Sequence, residues 1–284
     1  MQADRCGAAP TIAEALRFAR ERIESVDARA LLRMALNCSA SRLAAHPEAA
    51  LNEAQWHAYQ SLVRRRGKGE PVAYLVGSRE FYGRSFKVTP AVLIPRPETE
   101  LLVELVLGMI GAKEQATVLD LGTGSGAIGI TLALELASKN GVVSAVDVSP
   151  DALDVARHNA AVLGANIGFF LGSWYRPLGE RQFEYIVSNP PYVRADDHHL
   201  CEGDLRFEPH GALAAGADGL DDLRQIVAGA ANHLQAGGWL LMEHGYDQAE
   251  DVRRLLQASG FSEIGSWSDL AGIPRVSGGR RTSA

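Results

Sequence analysis

One glycine-rich run has residue types that could do chemistry: Val118-Leu119-Asp120-Leu121-Gly122-Thr123-Gly124-Ser125-Gly126-Ala127. Its three glycines lie between an apolar, strand-like stretch and a helical pattern. Glycine permits positive φ and lets a ligand approach the backbone, and the N-terminus of a helix offers free N–H donors. The run therefore predicts a nucleotide-type pocket, with a plain tight turn between a strand and a helix as the alternative.

The glycine run by itself fits two kinds of cofactor. Gly122, Gly124 and Ala127 also satisfy the G-x-G-x-x-G/A dinucleotide fingerprint. Asp120 favours S-adenosylmethionine (SAM), because its carboxylate could reach the methionine amino group and would repel a pyrophosphate. Asp147 ends the next predicted strand, where an acid can accept hydrogen bonds from both ribose hydroxyls. A second feature is needed to choose between the two cofactors.

The tetrad Asn189-Pro190-Pro191-Tyr192 follows another apolar run and is predicted on the same sheet edge as the glycine turn. Two consecutive prolines have fixed φ and no N–H donors, so this backbone presents only carbonyl oxygens. Asn189 adds a side-chain carbonyl, and Tyr192 adds a ring that could stack on a planar group. Taken alone, the tetrad also fits an ordinary turn at the end of a strand.

Methylation of a planar amide or of an aromatic NH2 group is the chemistry that needs such a corner. The nitrogen lone pair is delocalised, and two acceptors on its hydrogens would orient the group and raise its electron density. SAM already carries an activated methyl group, so alignment rather than a strong base is what the protein must supply. We therefore predict that Asn189 and Pro190 orient the NH2 group of the substrate and that Tyr192 stacks on it.

These motifs need a sheet to position them, and the chain beyond residue 96 alternates strand-like and helical patterns in βαβ order. We predict an α/β, Rossmann-like domain. Its candidate strands are 117–121, 142–147, 167–171, 183–188, 239–244 and a weaker one near Phe261, and its candidate helices are 98–110, 127–138, 150–163, 219–234 and 247–258.

The segment before that domain has helical patterns only. Thr11 with Glu14 forms a predicted capping box, Asp27 is a candidate cap of a second helix, and Asn52 with Gln55 is predicted to begin a later one. A hairpin is predicted next, because aromatic and β-branched residues flank a glycine in the segment 80–88. The predicted domains are a helical bundle over 1–75, a hairpin linker over 76–95 and a catalytic domain over 96–284.

Composition excludes several classes of protein. The formal net charge is -6, with 11 Lys and Arg against 8 Asp and Glu in residues 1–75, and 17 against 26 in the remainder. An acidic catalytic domain argues against one that coats a nucleic-acid backbone. The longest apolar stretch, 101–112, is too short to span a bilayer, which needs about 20 residues.

No metal site is predicted from the cysteines or the histidines. Cys6, Cys38 and Cys201 form no CxxC pair, which indicates reduced thiols and a cytoplasmic protein. His198 and His199 follow two aspartates, but adjacent loop residues seldom complete a metal shell. We interpret them as part of a solvated loop.

Together these motifs make the sequence resemble the PrmC/HemK family, the N5-glutamine methyltransferases of peptide-chain release factors, over nearly the whole chain. The tetrad alone is shared with adenine-N6 methyltransferases, whereas its combination with the other segments is more specific. These segments are Glu70 to Tyr74, Arg79 to Gly83, Pro95-Arg96-Pro97-Glu98-Thr99-Glu100, Asp120 to Gly126, Arg206 to Pro209, Glu243-His244-Gly245 and Ala271 to Arg275.

The resemblance implies methyl transfer from SAM to the glutamine of the GGQ motif in class I release factors, which modulates translation termination. It implies that the N-terminal helices contact the release factor, and we expect a monomer without membrane attachment or stable nucleic-acid binding. Carried over by position, the residues expected to bind SAM are Asp120, Gly122, Thr123, Gly124, Ser125, Gly126, Asp147, Trp174 and Asn189. Those expected to hold the glutamine amide are Asn189, Pro190, Pro191 and Tyr192, and Arg96, Thr99 and Glu100 would lie near the methionine end of SAM.

The sequence departs from the family pattern at two places. Ser173 stands where many members have Asp, which predicts that SAM still binds but with modestly altered affinity. The tail 276–280 looks looser than the usual final strand. Two other functions stay open: an adenine-N6 methyltransferase of DNA or RNA, which would accept a flipped base, and a SAM-sensing partner of translation without catalysis.

Overall fold

The computed structural model describes residues 10–282, so Cys6 lies outside the described residues. The chain forms two compact units that divide between Gly77 and Ser78. The predicted hairpin lies in the second unit, where Phe81 and Phe86 are part of its apolar core. Among the described residues, no helix is long and apolar enough to cross a membrane.

The first unit is a bundle of short helices. The predicted capping box of Thr11 with Glu14 is present, and Asn52 with Gln55, which were predicted to begin a later helix, form a second one. The prediction for Asp27 is wrong, because the second helix begins two residues earlier and the Asp27 carboxylate instead pairs with Arg66 at 2.6 Å. The helices are α1 (Ile12–Arg20), α2 (Ser25–Leu36), α3 (Ala40–Ala45), α4 (Glu53–Gly67) and α5 (Val72–Val76).

The second unit contains a two-stranded hairpin and a seven-stranded sheet. The hairpin is β1 (Ser78–Phe81) with β2 (Arg84–Lys87), and the sheet strands are β3 (Thr117–Leu121), β4 (Val142–Asp147), β5 (Gly168–Leu171), β6 (Phe183–Ser188), β7 (Leu234–Glu243), β8 (Phe261–Ser268) and β9 (Pro274–Arg281). The helices are α6 (Glu100–Ile110), α7 (Ala127–Glu135), α8 (Pro150–Leu163), α9 (Asp221–His233) and α10 (Ala249–Ala258).

The sheet order is β5-β4-β3-β6-β7-β9-β8, and β9 runs opposite to the other six strands. The predicted α/β class is confirmed. The central strands are buried on both faces, which explains why β3 and β6 are near-continuous apolar runs. The strand order reverses at β3, and ligands of such sheets bind beyond the carboxyl ends of the strands at this switch point.

The tail forms an ordered strand, so the looser end expected from the sequence is wrong. Within β9, Gly278 lies so close to β7 that an added Cβ would stand 2.4 Å from the Leu240 carbonyl oxygen. Its neighbour Gly279 would likewise place a Cβ 3.0 Å from Phe261. These glycines permit close strand packing and do not loosen the tail.

Candidate active site

A cavity of about 450 Å³ lies at the carboxyl edge of the sheet, beyond the ends of β3, β4 and β6. Nine of the residues predicted for the site line it: Thr99, Gly122, Thr123, Gly124, Ser125, Asp147, Trp174, Asn189 and Pro191. The other predicted residues, which are Arg96, Glu100, Asp120, Gly126, Pro190 and Tyr192, are not among those that line it. The lining also includes residues without a sequence signal, among them Leu93, Val148, Ser149 and Ala212.

Hydrogen bonds to β4 hold the glycine turn in place. The Gly122 and Thr123 N–H groups donate to the Val146 carbonyl at 2.9 and 3.0 Å. The Gly124 N–H donates to Asp147 Oδ2 at 2.8 Å, and the Ser149 N–H donates to Oδ1 of the same carboxylate at 2.9 Å. These amides are therefore engaged within the protein.

The Asp147 carboxylate lies in the wall of the cavity, where it favours a positively charged ligand. Asp147 is 9 % exposed, and burial raises its pKa. An acid at this position also bonds the ribose in dinucleotide sites, so the carboxylate alone does not choose the cofactor. The N–H groups of Gly122, Thr123 and Gly124, which a pyrophosphate would need, are bonded within the protein, whereas a cationic ligand would be attracted to the carboxylate. The residues present thus fit the sulfonium cofactor better than a dinucleotide.

Asp120 lies beneath the turn and is fully buried. Its Oδ2 accepts hydrogen bonds from Thr123 Oγ1 at 2.6 Å and from the Gly129 N–H at 3.0 Å. Burial raises the pKa of Asp120 to about 6, and these hydrogen bonds oppose the rise. The observed contacts of Asp120 join the turn to the first turn of α7, and its contact with a methionine amino group stays a prediction.

The ring of Trp174 packs against the glycine turn. An added Cβ at Gly122 would stand 3.5 Å from the Trp174 ring, so the indole lies directly on the turn backbone. Ser173 and Gly172 precede it in the cavity wall. Trp174 therefore supplies a flat ring to the cavity wall, and its contact with the adenine of SAM stays a prediction.

Asn189 directly follows β6, and Thr99 from the segment before α6 holds its side chain. Asn189 Nδ2 donates to Thr99 Oγ1 at 3.1 Å. Asn189 Oδ1 is buried and has no hydrogen-bond partner among the described residues. Both residues line the cavity, so this unsatisfied acceptor belongs to its wall.

Tyr192 packs against a buried apolar cluster of the second unit that includes Leu223 and Met242. Its hydroxyl donates to Glu243 Oε1 at 3.2 Å. Glu243 is fully buried at the end of β7, and burial raises its pKa to about 7 against hydrogen bonds from Thr99 and Tyr192. Burial and the nearby carboxyl also raise the pKa of Tyr192. The Tyr192 hydroxyl is thus engaged within the protein, and its stacking on a substrate amide stays a prediction.

Glu208 lies on the loop that follows the tetrad, and its side chain is buried. Its buried side chain pairs with Arg96 Nη2 at 2.5 Å and accepts from the Ile94 N–H at 3.0 Å. Of the two other residues expected near the donor's methionine end, Thr99 holds Asn189, and Glu100 accepts from the Tyr82 N–H at 2.8 Å. The Glu208 contacts tie the segment before α6 to the loop that follows the tetrad.

The loop histidines form a cluster with Asp197 that is largely exposed. Ligand atoms of Asp197, His198 and His199 lie within 4.8 Å of one another, and His199 Nδ1 is 2.7 Å from Asp197 Oδ1. His244 is fully buried and bonded to Ser277 Oγ at 2.8 Å, as expected of a core histidine. Cys38 and Cys201 are free thiols.

Local sequence patterns missed two residues that support the site. Gly129 lies in the first turn of α7, where an added Cβ would stand 2.9 Å from Asp120 Oδ2. Its only signal is a glycine inside a helical pattern. Glu243 carries the signal of an acid at the end of an apolar strand, which sequence analysis noted but gave no role.

Two family models match the chain. The PrmC N-terminal domain matches residues 11–77, and the methyltransferase small domain matches residues 98–202. Two solved methyltransferase structures have a similar fold. A methyltransferase from Pyrococcus furiosus aligns with a TM-score of 0.55 at 16% identity, over 78% of this chain and 98% of that chain. The T. thermophilus 16S rRNA N2 G1207 methyltransferase, in complex with AdoMet and guanosine, aligns with a TM-score of 0.53 at 20% identity, over 72% and 49%.

Curated relatives are similar over almost the entire length. The release factor glutamine methyltransferase of Burkholderia pseudomallei is 49% identical over 277 residues, which is 95% of this chain and 96% of that protein. The protein of the same name from Xylella fastidiosa is 47% identical over 266 residues, or 93% and 96%. At this identity and coverage, the chain belongs to the release factor glutamine methyltransferase family.

Proposed function

We propose that this protein is an enzyme that transfers a methyl group from SAM to the side-chain amide nitrogen of a glutamine in peptide-chain release factors. The observation that carries the proposal is the Asn189 carbonyl oxygen, buried beside the cavity without a hydrogen bond among the described residues. A buried acceptor without a partner costs about 1–3 kcal/mol, and an amide N–H of the substrate would satisfy it. The names of the curated relatives support the choice of substrate.

SAM, when bound, supplies a methyl group on a positively charged sulfur. The glycine turn and Asp147 would hold it, with Trp174 beside the adenine. Asn189 Oδ1 would accept from one hydrogen of the glutamine amide, and the Pro190 carbonyl would accept from the other. The chain then has to align two reactants, and no strong base is required.

The finer parts of the proposal rest on the motifs. The target would be the glutamine of the GGQ motif in class I release factors, and Tyr192 would stack on its amide. The helical unit, which carries the excess of basic residues, would contact the release factor away from the reacting glutamine. We expect a cytoplasmic monomer that forms no stable complex with nucleic acid.

A labelling experiment tests the function. The protein is incubated with methyl-labelled SAM and one of three substrates: a release factor, the same factor with its GGQ glutamine replaced, and duplex DNA. Label on the intact release factor alone is the expected result. Label on DNA would instead indicate an adenine-N6 methyltransferase, and SAM binding without label on any substrate would indicate a sensor.

A further inference from the structure

The side chain of Gln248, in the loop between β7 and α10, hydrogen-bonds the backbone of the tetrad Asn189 to Tyr192. Its Nε2 donates to the Tyr192 carbonyl oxygen at 3.0 Å, and its Oε1 accepts from the Gly245 N–H at 2.8 Å. Gln248 is 7 % exposed and is not one of the described residues that line the cavity. It therefore contacts the tetrad without forming part of the cavity wall.

The partners of Gln248 determine the direction of its side-chain amide. A backbone N–H can only donate and a backbone carbonyl can only accept, so Oε1 must face Gly245 and Nε2 must face Tyr192. Two further carbonyl oxygens, those of Asp218 and Gly219, lie 3.4 Å from Nε2. The reversed amide would place its oxygen against these carbonyl oxygens, so Gln248 has to be a donor to the tetrad.

The peptide group that joins Tyr192 to Val193 is held at both of its polar atoms. Gln248 Nε2 donates to its oxygen, and its N–H donates to the Leu213 carbonyl oxygen at 2.9 Å. Gly219, with φ +76°, closes on the same group, since an added Cβ there would stand 2.3 Å from the Tyr192 carbonyl oxygen. Only glycine allows this approach at such a φ. The orientation of this peptide group is therefore fixed.

The tetrad depends on groups elsewhere in the chain for its anchoring, because its two prolines have no N–H to donate. A carbonyl oxygen in it can be held only by a donor from another segment. In the proposed function, the Pro190 carbonyl has to stay available for the substrate amide. A donor at the Tyr192 carbonyl fixes the backbone two residues after Pro190 and leaves the Pro190 oxygen free for that role.

We propose that Gln248 is a positioning residue for methyl transfer, which holds the Tyr192 carbonyl and thereby keeps the Pro190 carbonyl oxygen directed at the substrate amide. This inference rests on the proposed function, because that function assigns the Pro190 carbonyl to a hydrogen of the glutamine amide. Gln248 acts through the backbone and contacts neither reactant. Since the chain contributes mainly alignment, a small displacement of this backbone should lower the rate strongly.

The variant Gln248→Glu tests this role. It keeps the size of the side chain and the acceptor for the Gly245 N–H, but at pH 8 it replaces the donor to Tyr192 by a carboxylate oxygen. We expect kcat on the release factor to fall about tenfold or more, while the SAM dissociation constant and the KM for the release factor stay within about threefold of wild type. Gln257→Glu, at an exposed glutamine of the same helix region, is the matched control and should keep the wild-type kcat.

A second variant, Gln248→Met, removes both polar groups without adding a charge and should lower kcat similarly. Calorimetric titration verifies folding, because binding of one SAM per chain shows that a lower kcat does not come from unfolded protein. Wild-type kcat in both variants would overturn the inference and leave the proposed function intact. Loss of SAM binding in step with kcat would indicate a merely structural role and would overturn it as well.

Hydrogen exchange of the Val193 amide tests the contact without turnover. This N–H belongs to the peptide group that Gln248 holds, so it should exchange about tenfold faster in both variants. The Ser149 N–H, which donates to Asp147, should keep its wild-type rate. Unchanged exchange at Val193 in both variants would contradict the inference. This readout decides the inference even if the protein methylates no release factor and the proposed function fails.

Discussion

Four buried side-chain polar atoms in the described part of the chain have no hydrogen-bond partner, and three of them belong to Asp120, Asn189 and Glu243. Native proteins leave few such atoms unsatisfied. These three residues lie at the carboxyl ends of β3, β6 and β7, and Asn189 lines the cavity. Their concentration at one sheet edge is typical of a site whose remaining hydrogen bonds come from ligands.

Asn189→Ala should separate donor binding from turnover. The variant removes the acceptor but leaves the glycine turn and Asp147 untouched, so SAM should bind with nearly wild-type affinity by calorimetric titration. Loss of a positioned polar group that acts in the transition state typically lowers kcat about 100-fold, and we expect a decrease of that order. If Asn189→Ala methylated the release factor at the wild-type rate, the acceptor role of Asn189 would be wrong.

The buried Glu243 carboxyl predicts a pH-dependent difference in stability. Its pKa rises on folding from the ordinary value of 4.5 to about 7. The folded state therefore binds the proton more tightly, and this contribution to stability is complete below pH 4.5 and is lost as the pH rises through 7. Because Glu243→Gln lacks this titration, its free energy of unfolding should exceed that of the wild type increasingly between pH 5 and 8, by up to about 3 kcal/mol.

Urea unfolding of both proteins across this pH range measures the difference directly. A constant difference from pH 5 to pH 8 would show that Glu243 does not titrate with a raised pKa.

At the scale of elements, the sequence patterns predicted most of the sheet. The bounds of β3, β4 and β6 agree with prediction because each is an apolar run that ends at a glycine, an aspartate or an asparagine. The start of β7 was placed five residues too late, because its Gly237 and Gly238 lower strand propensity. The glycines of β9 led to the prediction of a loose tail, although the close approach of β9 to β7 requires them.

The site was only partly predictable for a different reason. A motif at the end of a strand can be assigned to a sheet edge from its position in the chain, which located the glycine turn, Asp147 and Asn189. Contacts between residues far apart in sequence leave no local signal. Asn189 meets Thr99 across 90 positions, and Glu208 meets Arg96 across 112.

A matched pair of glycine variants tests the packing of α7. Alanine in a helix normally stabilises relative to glycine by up to about 1 kcal/mol. At Gly108 in α6 an added Cβ meets nothing within 4 Å, so Gly108→Ala should stabilise the protein. At Gly129 the Cβ would crowd Asp120 Oδ2 at 2.9 Å, and Gly129→Ala should destabilise by about 1–3 kcal/mol. Thermal unfolding compares the two, and equal shifts would show that the crowding at Gly129 is relieved.

The Glu208 carboxylate joins two segments of the cavity wall, so its loss should affect both stability and donor binding. Glu208→Ala leaves the Ile94 N–H and the Arg96 guanidinium without this acceptor, which should cost about 2–3 kcal/mol. SAM affinity should fall severalfold, because Pro95 and Pro209 line the cavity beside these contacts. The exposed pair of Glu250 with Arg254 provides the control, and Glu250→Ala should change stability by less than about 1 kcal/mol. Equal effects of the two variants would contradict the bracing role of Glu208.

At the scale of the whole molecule, charge and chemistry are divided between the two units. The basic excess of residues 1–75 is +3, and the remainder carries -9. Every residue that lines the cavity belongs to the second unit. The lining of the cavity is therefore complete without the helical unit, whereas the proposed docking of the release factor depends on that unit.

Removing the helical unit should accordingly leave SAM binding almost unchanged but weaken binding of the release factor. We expect a fragment of residues 78–284 to bind SAM within about threefold of the full chain, since a change of that size is below about 1 kcal/mol. Its KM for the release factor should rise strongly, while kcat at saturation changes little, because lost uniform binding raises KM alone. Calorimetry and steady-state kinetics on both proteins give these values, with circular dichroism to verify folding. The docking role would be disproved by a folded fragment that methylates the release factor with the KM of the full chain. Loss of SAM binding in a folded fragment would show that the second unit needs the first for its cavity.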